Sequence, residues 1–257
     1  MNFHDNFIAL QTIVRKEVVR FVRIWPQTLL PPVITQSLYF LIFGKFIGSQ
    51  VGNIQGISYM SFLVPGLVMM AVINNSYANV VSSFFGSKFQ HNVEELLVSP
   101  TANWVILGGY VVGGVLRGII VGILVFGVSV FFTRPTVSHA GLIAVFILLT
   151  AVVFSLGGFL NGVIATKFDD VSIFPTFIIT PLTYLGGVFY SIHSLPDSWR
   201  NLSRFNPILY MVDGFRYGFY GFSDVNIGVS ITALVFLMAI LTAVNLFFLG
   251  KGVGLKN

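Results

Sequence analysis

Long stretches of this chain carry almost no charge. Residues 104–132 hold a single charged side chain, Arg117, and residues 139–164 hold no Asp, Glu, Lys or Arg. About 20 apolar residues rising ~1.5 Å each as a helix cross a hydrocarbon layer ~30 Å thick. Six such runs are predicted: 27–47, 57–85, 104–132, 139–164, a fifth from the polar break at 166–172 to about Tyr190, and 229–250. Only 9% of the 257 residues are charged. A soluble domain carries about a quarter, so this chain cannot cover a globular surface with solvated groups. The fold class predicted is all-α integral membrane. Pro26, Pro31 and Pro32 sit near the start of the first run, where missing N–H groups cost least, and Pro65 predicts a kink in the second.

Between the second and third runs lies a polar stretch, residues 87–103 (SKFQHNVEELLVSPTAN). Helical spacing puts Phe89, Val93, Leu96 and Leu97 on one side and His91, Glu94 and Glu95 mostly on the other, and Pro100 ends the helix. A short amphipathic helix between two spans has no core of its own to join. It is offered to the lipid surface or to another protein.

Residues 3–25 predict a further amphipathic helix, with Phe3, Phe7, Leu10, Val14, Val18, Phe21 and Trp25 along one stripe and Arg15, Lys16, Arg20 and Arg23 around the rest. That pattern suits a helix in the membrane interface, its cations toward anionic lipid headgroups, and is compatible with docking a cytoplasmic partner. Glu17 falls at the edge of the stripe, within reach of Arg20 one turn on. The expected organisation is therefore an interfacial helix over 1–26 and a six-helix membrane domain over 27–257. No cleavable signal peptide is expected, because charges are spread through the first 25 residues.

Basic residues set the orientation. In a six-span topology Arg15, Lys16, Arg20, Arg23, Lys88, Lys167, Lys251 and Lys256 fall on one side, and the short loops opposite hold little beyond Lys45 and Arg134. The positive-inside rule makes both termini and residues 87–103 cytoplasmic. Arg200, Arg204 and Arg216 run against the bias but are balanced by Asp197, Asp213 and Asp224. The net charge of +5 thus reads as orientation, with no nucleic-acid partner.

Glycines four apart in the third run (Gly109, Gly113; Gly114, Gly118, Gly122) and in the fourth (Gly158, Gly162) predict close helix packing. Arg117 lies among them near mid-span. A central Arg costs about 2.5–3.5 kcal/mol on insertion scales, so it should face protein or a polar cavity. Its role is structural or in a substrate pathway, with Asp213 and the Asp169–Asp170 pair as candidate partners. No carboxylate is expected inside the spans.

Residues 191–228 are too apolar for a free outer loop. Pro196 starts one helical pattern, and Asn206-Pro207 breaks it and starts another. Such helices are expected to dip back into the bilayer as a re-entrant hairpin closing the outer end of a pathway. A plain interfacial segment is the alternative.

Over nearly its whole length the chain resembles the permease subunit of ABC-2-type ATP-binding-cassette exporters. The likeness is strongest at VEELLVSP (93–100) and at PLTYLGGVFYSIHSLPDSWRNLSRFNPILYMVDGFRYG (181–218). The second contains Gly187-Val188-Phe189, Leu195-Pro196 and the run Asn206-Pro207, Tyr210, Asp213, Gly214, Arg216 that the family shares. Val93 stands where Thr is common and Gly186 where Ser is usual. The resemblance implies that the amino-terminal helix is a connecting helix and that residues 87–103 form a coupling helix seated on a separate ATP-binding subunit. The coupling residues would be Glu17, Phe89, Glu94, Glu95, Leu97 and Pro100. Pathway or gate residues would be Arg117, Tyr184, Phe189, Asn206, Pro207, Tyr210, Asp213 and Arg216. It further implies a homodimer with two ATPase chains in a bacterial inner membrane, exporting cargo along the dimer interface.

No G-x-x-x-x-G-K-[ST] occurs, so this chain cannot cradle ATP; ATP and Mg are expected on the partner and no cofactor on this chain. A gradient-driven secondary transporter, the alternative, wants titratable carboxylates inside its spans. A membrane protease wants an aligned nucleophile and base, and neither Gly56-Ile57-Ser58 nor Gly221-Phe222-Ser223 is followed by the Gly of a nucleophile elbow. Enzymatic function is not expected. Cysteine is absent, which removes disulfides, thiolate metal sites and a Cys nucleophile, and metal binding has no support. With 27 Phe, the path should suit an amphipathic or lipid-linked cargo.

Overall fold

The computed structural model describes residues 3–254; Lys256 lies outside them. The chain is a bundle of helices joined by short connections, with one two-residue hairpin, β1 (Asn53–Ile54) paired antiparallel to β2 (Ile57–Ser58). The helices are α1 (Phe3–Arg23), α2 (Trp25–Thr28), α3 (Leu30–Tyr39), α4 (Gly48–Val51), α5 (Tyr59–Phe89), α6 (Asn92–Val98), α7 (Asn103–Ser129), α8 (Ala140–Ile164), α9 (Phe168–Phe174), α10 (Thr180–Leu185), α11 (Asp197–Ser203), α12 (Pro207–Tyr220) and α13 (Ile227–Lys251). Among the described residues five helical runs are long and apolar enough to cross a membrane: Trp25–Val51, which strings together α2, α3, a π-helical stretch Phe40–Ile47 and α4, then α5, α7, α8 and α13.

The expected fifth span is not one of them. Residues 168–185 are helical throughout but in three pieces, with a π-helical turn, Pro175–Ile179, between α9 and α10. Pro175 and Pro181 explain the break, since each removes an intrahelical N–H and crowds the preceding turn.

Helix ends follow local chemistry. Ser58, Asn206 and Asn226 cap α5, α12 and α13 by accepting from backbone N–H groups of the first turn. Gly221 and Gly252 end α12 and α13 with φ of 73° and 65°, a left-handed conformation in which a Cβ would be strained. Pro65 is carried inside the 31-residue α5.

α5 is the hub. Most of it is buried, whereas α13 lies at the periphery and turns most of its apolar surface outward. The α7 glycines let three helices close on one another. Gly109 and Gly113 face Ile13 and Glu17 of α1, while Gly114, Gly118 and Gly122 face Val80, Ser76 and Val72 of α5. On α8, Gly158 lies against the backbone of Tyr77 and Gly162 against Phe84.

Two ends of the bundle are defined by contacts. At one, Lys88 Nζ donates to Val163 O and Ala165 O, both at 2.7 Å, and the Phe89 ring meets Phe168 at 4.7 Å. At the other, Gln55 Nε2 donates to Asp224 Oδ1 (3.1 Å), the Ser61 and Thr133 hydroxyls are 2.8 Å apart, and Tyr59 Oη donates to Phe189 O (2.9 Å).

Candidate functional site

The polar stretch folds differently from one helix. Its first residues, Ser87 to Phe89, complete α5; Gln90 and a left-handed His91 (φ 59°) turn the chain, and α6 then runs for seven residues. Phe89 therefore belongs to α5, where its ring rests on Phe85 and Phe168. α6 sends Val93 into a cluster with Phe84, Val105, Phe159 and Leu249, and Leu96 and Leu97 pack half-buried beside it. Glu94 and Glu95 stand exposed in its first turn, where the helix dipole favours negative charge. His91 Nδ1 lies 2.9 Å from Glu94 Oε1. Ser99 Oγ donates to Leu96 O (2.6 Å), and the exposed Pro100 follows outside the helix. The result is a short acidic ridge anchored by apolar side chains. It is built to present carboxylates outward.

Around this ridge other segments converge. Lys16 Nζ reaches Ser87 Oγ at 3.5 Å, as does Tyr110 Oη at 3.4 Å. Asp170 accepts from the backbone N–H of Thr166 and of Lys167 and from the Thr166 hydroxyl.

α1 is seated differently from its sequence stripe. Ile13, Glu17 and Phe21 form its buried line against α7, while Phe3, Phe7 and Trp25 are exposed. Glu17 is fully buried. Ser83 Oγ donates to its Oε1 (2.6 Å), and Arg20 Nη2 donates to its Oε2 (3.2 Å) and to Asn79 O and Oδ1 (2.9 and 2.8 Å). The close approach at Gly113 draws this carboxylate inward. No Asp or Glu falls within the five long apolar runs, but lying outside them does not mean exposure: Glu17 on α1 and Asp213 on α12 are both fully buried. Both have partners in place, as a buried charge requires.

Arg117 pairs with neither candidate acid. Its Nη2 donates to Thr28 O and to Asn75 Oδ1, each at 3.2 Å. The acids are elsewhere: Asp170 is engaged at its own helix start, and Asp213 accepts from the backbone N–H of Asp224 (2.9 Å) and Val225 (3.0 Å). A carbonyl freed at the α2–α3 break and a neutral amide take up Nη2 instead, while the buried Nε has no partner.

The outer segment forms the two predicted helices, α11 after Pro196 and α12 from Pro207. α12 is sunk among α5, α8 and α13. Asn206 Nδ2 donates to Leu182 O (2.6 Å) and Tyr210 Oη to Arg204 O (2.6 Å). Arg216, almost fully buried, donates to Gly187 O (2.6 Å), with its guanidinium carbon 3.9 Å from the Phe62 ring centre. Phe189 contacts Tyr184, Tyr39 and Phe43 through ring centres 4.8–6.0 Å apart. Sequence reasoning missed Asp224. Its side chain is 4% exposed, accepts from Ser191 Oγ (2.9 Å), Ile192 N and Gln55, and lies 3.4 Å from His193 Nε2. Its position in a Gly-Phe-Ser-Asp turn gave no periodic signal.

The described residues thus form a mostly helical bundle with five membrane-length runs and an exposed acidic ridge. The chain belongs to the ABC-2 type transporter family, whose model matches residues 8–220. Family membership makes it a permease subunit of an ATP-binding-cassette transporter, a kind of chain that normally works with an ATP-binding subunit. It is 54% identical to the Inner membrane transport permease YadH of Escherichia coli strain K12 over 254 residues, covering 99% of each chain. It is also similar to Nodulation protein J of Rhizobium meliloti strain 1021 (23% identity, covering 89% of this chain and 87% of that one) and of Sinorhizobium fredii strain NBRC 101917 / NGR234 (26%, 84% and 80%). With these relatives, the chain is a multi-pass inner-membrane protein.

Proposed function

We propose that this chain forms, as a homodimer, the outward translocation pathway of an ATP-driven exporter powered by two copies of a separate ATP-binding subunit. One observation carries the reading. Glu94 and Glu95 project from α6 into open space while Val93, Leu96 and Leu97 of the same helix are tied into the bundle, so a push on the ridge is passed to α5 and α7. Phe89 and Pro100 bracket the ridge, and Leu97 helps seat it. Glu17 works from inside, by fixing α1 to α5 rather than by touching the ATPase. In this reading both termini and the ridge are cytoplasmic, the broken run 168–185 makes the fifth of six crossings, and ATP and Mg are held by the partner.

Residues 191–228 form the re-entrant outer hairpin. Asn206, Pro207, Tyr210, Asp213 and Arg216 hold its shape, Tyr184 and Phe189 line the route, and Arg117 braces the first crossing against the third. The Phe-rich faces suit an amphipathic cargo, lipid-linked, polysaccharide or drug-like. A gradient-driven cycle is disfavoured because Glu17 and Asp213, though buried, are already held by fixed donors.

The test is purification of the tagged full-length chain in mild detergent, with mass spectrometry of what accompanies it. A stoichiometric subunit carrying a P-loop is expected, and it should be lost in Glu94→Lys/Glu95→Lys while membrane insertion persists. A bare oligomer under several gentle conditions, or retention by the double variant, would remove the coupling assignment.

A further inference from the structure

A cavity of about 360 Å³ opens between α8, the broken run 168–185, α12 and α13. Phe154 and Leu160 of α8, Ile178, Met211 of α12, and Leu237 and Leu241 of α13 are among its walls. Its size is that of a small-molecule site. Asn161 is the sole polar side chain on the lining, and its amide already donates to Tyr77 Oη (2.5 Å) and Val171 O (3.3 Å). A bound water needs two to four polar partners, so this space has no use for water. An empty hydrocarbon-lined void of this size would forfeit packing on every wall.

Its dimensions match one occupant. The α8 wall runs from Val153 to Ile164. Eleven rises of 1.5 Å make about 16 Å, the depth of one leaflet of a ~30 Å hydrocarbon core. At the Ile164 end the chain leaves the apolar run at Thr166 and the exposed Lys167, a cation at headgroup level. Ile164 and Ile178, both on the wall and both exposed, leave an opening to the surrounding bilayer. We propose that this cavity holds one acyl chain of a phospholipid from the leaflet on the Lys167 side. The hydrocarbon fills the gap beside the π-helical turn Pro175–Ile179 and supports that break in the helix.

Gly157 supplies the test. It lies on the cavity wall, and a Cβ built there meets nothing within 4 Å, so a larger side chain enters the space without backbone conflict. Wild type, Gly157→Ala and Gly157→Phe, each full-length in mild detergent, are compared by native mass spectrometry and by thermal shift on adding palmitoyl-oleoyl phosphatidylglycerol. Wild type and Gly157→Ala should keep one phospholipid per chain and gain stability from the added lipid. Gly157→Phe should keep several-fold less and gain nothing, with its oligomeric state unchanged. Leu237→Trp, which fills the space from the opposite wall, should repeat that result and stands in if Gly157→Phe does not fold. Absence of phospholipid from the wild type, or equal retention in the filled variants, would overturn the proposal. So would loss of a dimer in the filled variants with lipid retained, which would give the cavity to a second copy of the chain.

Discussion

A 2.6 Å hydrogen bond joins Ser83 Oγ on α5 to Glu17 Oε1 on α1. The same carboxylate faces Arg20 through its other oxygen, so one buried anion ties the amino-terminal helix to the hub of the bundle. The two partners are unequally enclosed: the Glu17 side chain is fully buried and that of Arg20 is 29% exposed. Removing Arg20 strands an anion that cannot reach water. Removing the charge on Glu17 leaves a cation that can turn outward. Arg20→Leu should therefore cost about 3 kcal/mol, the low end for a broken buried pair, and Glu17→Gln only about 1 kcal/mol. Thermal unfolding in detergent compares them, and the reverse order would show that Arg20 is not what holds Glu17 in place.

The neighbouring glycines Gly157 and Gly158 should respond in opposite ways. Gly158 lies against the Tyr77 carbonyl, and backbone cannot yield to a new methyl group. Gly158→Ala should cost about 1–3 kcal/mol or prevent accumulation in the membrane. Gly157→Ala meets open space and should gain up to about 1 kcal/mol from helix propensity. Expression level and melting temperature of the two variants decide it; equal behaviour would mean that α8 and α5 are not in close contact.

Much of this was legible in the sequence because apolar runs, proline breaks and glycine spacing act locally. The bounds of α7, α8 and α13 fall within a few residues of the runs seen in the sequence, and Pro196 and Pro207 mark α11 and α12. What failed depends on close approach between distant segments. Glu17 looks like a surface acid until Gly113 brings α7 against it, and Arg117 looks like half of an ion pair until the α2–α3 break offers the Thr28 carbonyl. The acidic ridge was visible as a pattern, but the turn at His91 that separates Phe89 from it was not, because only the conformation at His91 creates it.

Arg117 should be energetically coupled to Asn75 and not to Asp213. Residues sharing a hydrogen bond show interaction energies of about 0.5–3 kcal/mol, whereas independent sites add within about 0.5 kcal/mol. Single and double variants Arg117→Met, Asn75→Leu and Asp213→Asn, followed by thermal unfolding, give both cycles. Additivity for Arg117 with Asn75 would contradict the geometry at 3.2 Å.

Asp213 should govern how tightly the outer segment is held, without affecting the opposite end of the bundle. Its carboxylate accepts both backbone N–H groups of the Asp224-Val225 turn, and Asp224 in turn holds Ser191 and Ile192. Asp213→Ala strands two donors at about 1–3 kcal/mol each, and local opening of residues 221–226 should become more frequent by at least the tenfold that ~1.4 kcal/mol represents. The chain has no cysteine, so a single Ser223→Cys reports the opening through its labelling by a membrane-impermeant maleimide. Faster labelling in the Asp213→Ala background, with the ATP-binding subunit still recovered alongside the chain, would place the effect at the outer end alone. An unchanged labelling rate would mean that the α12 carboxylate does not hold this turn, and that the packing of α12 among α5, α8 and α13 suffices to fix it.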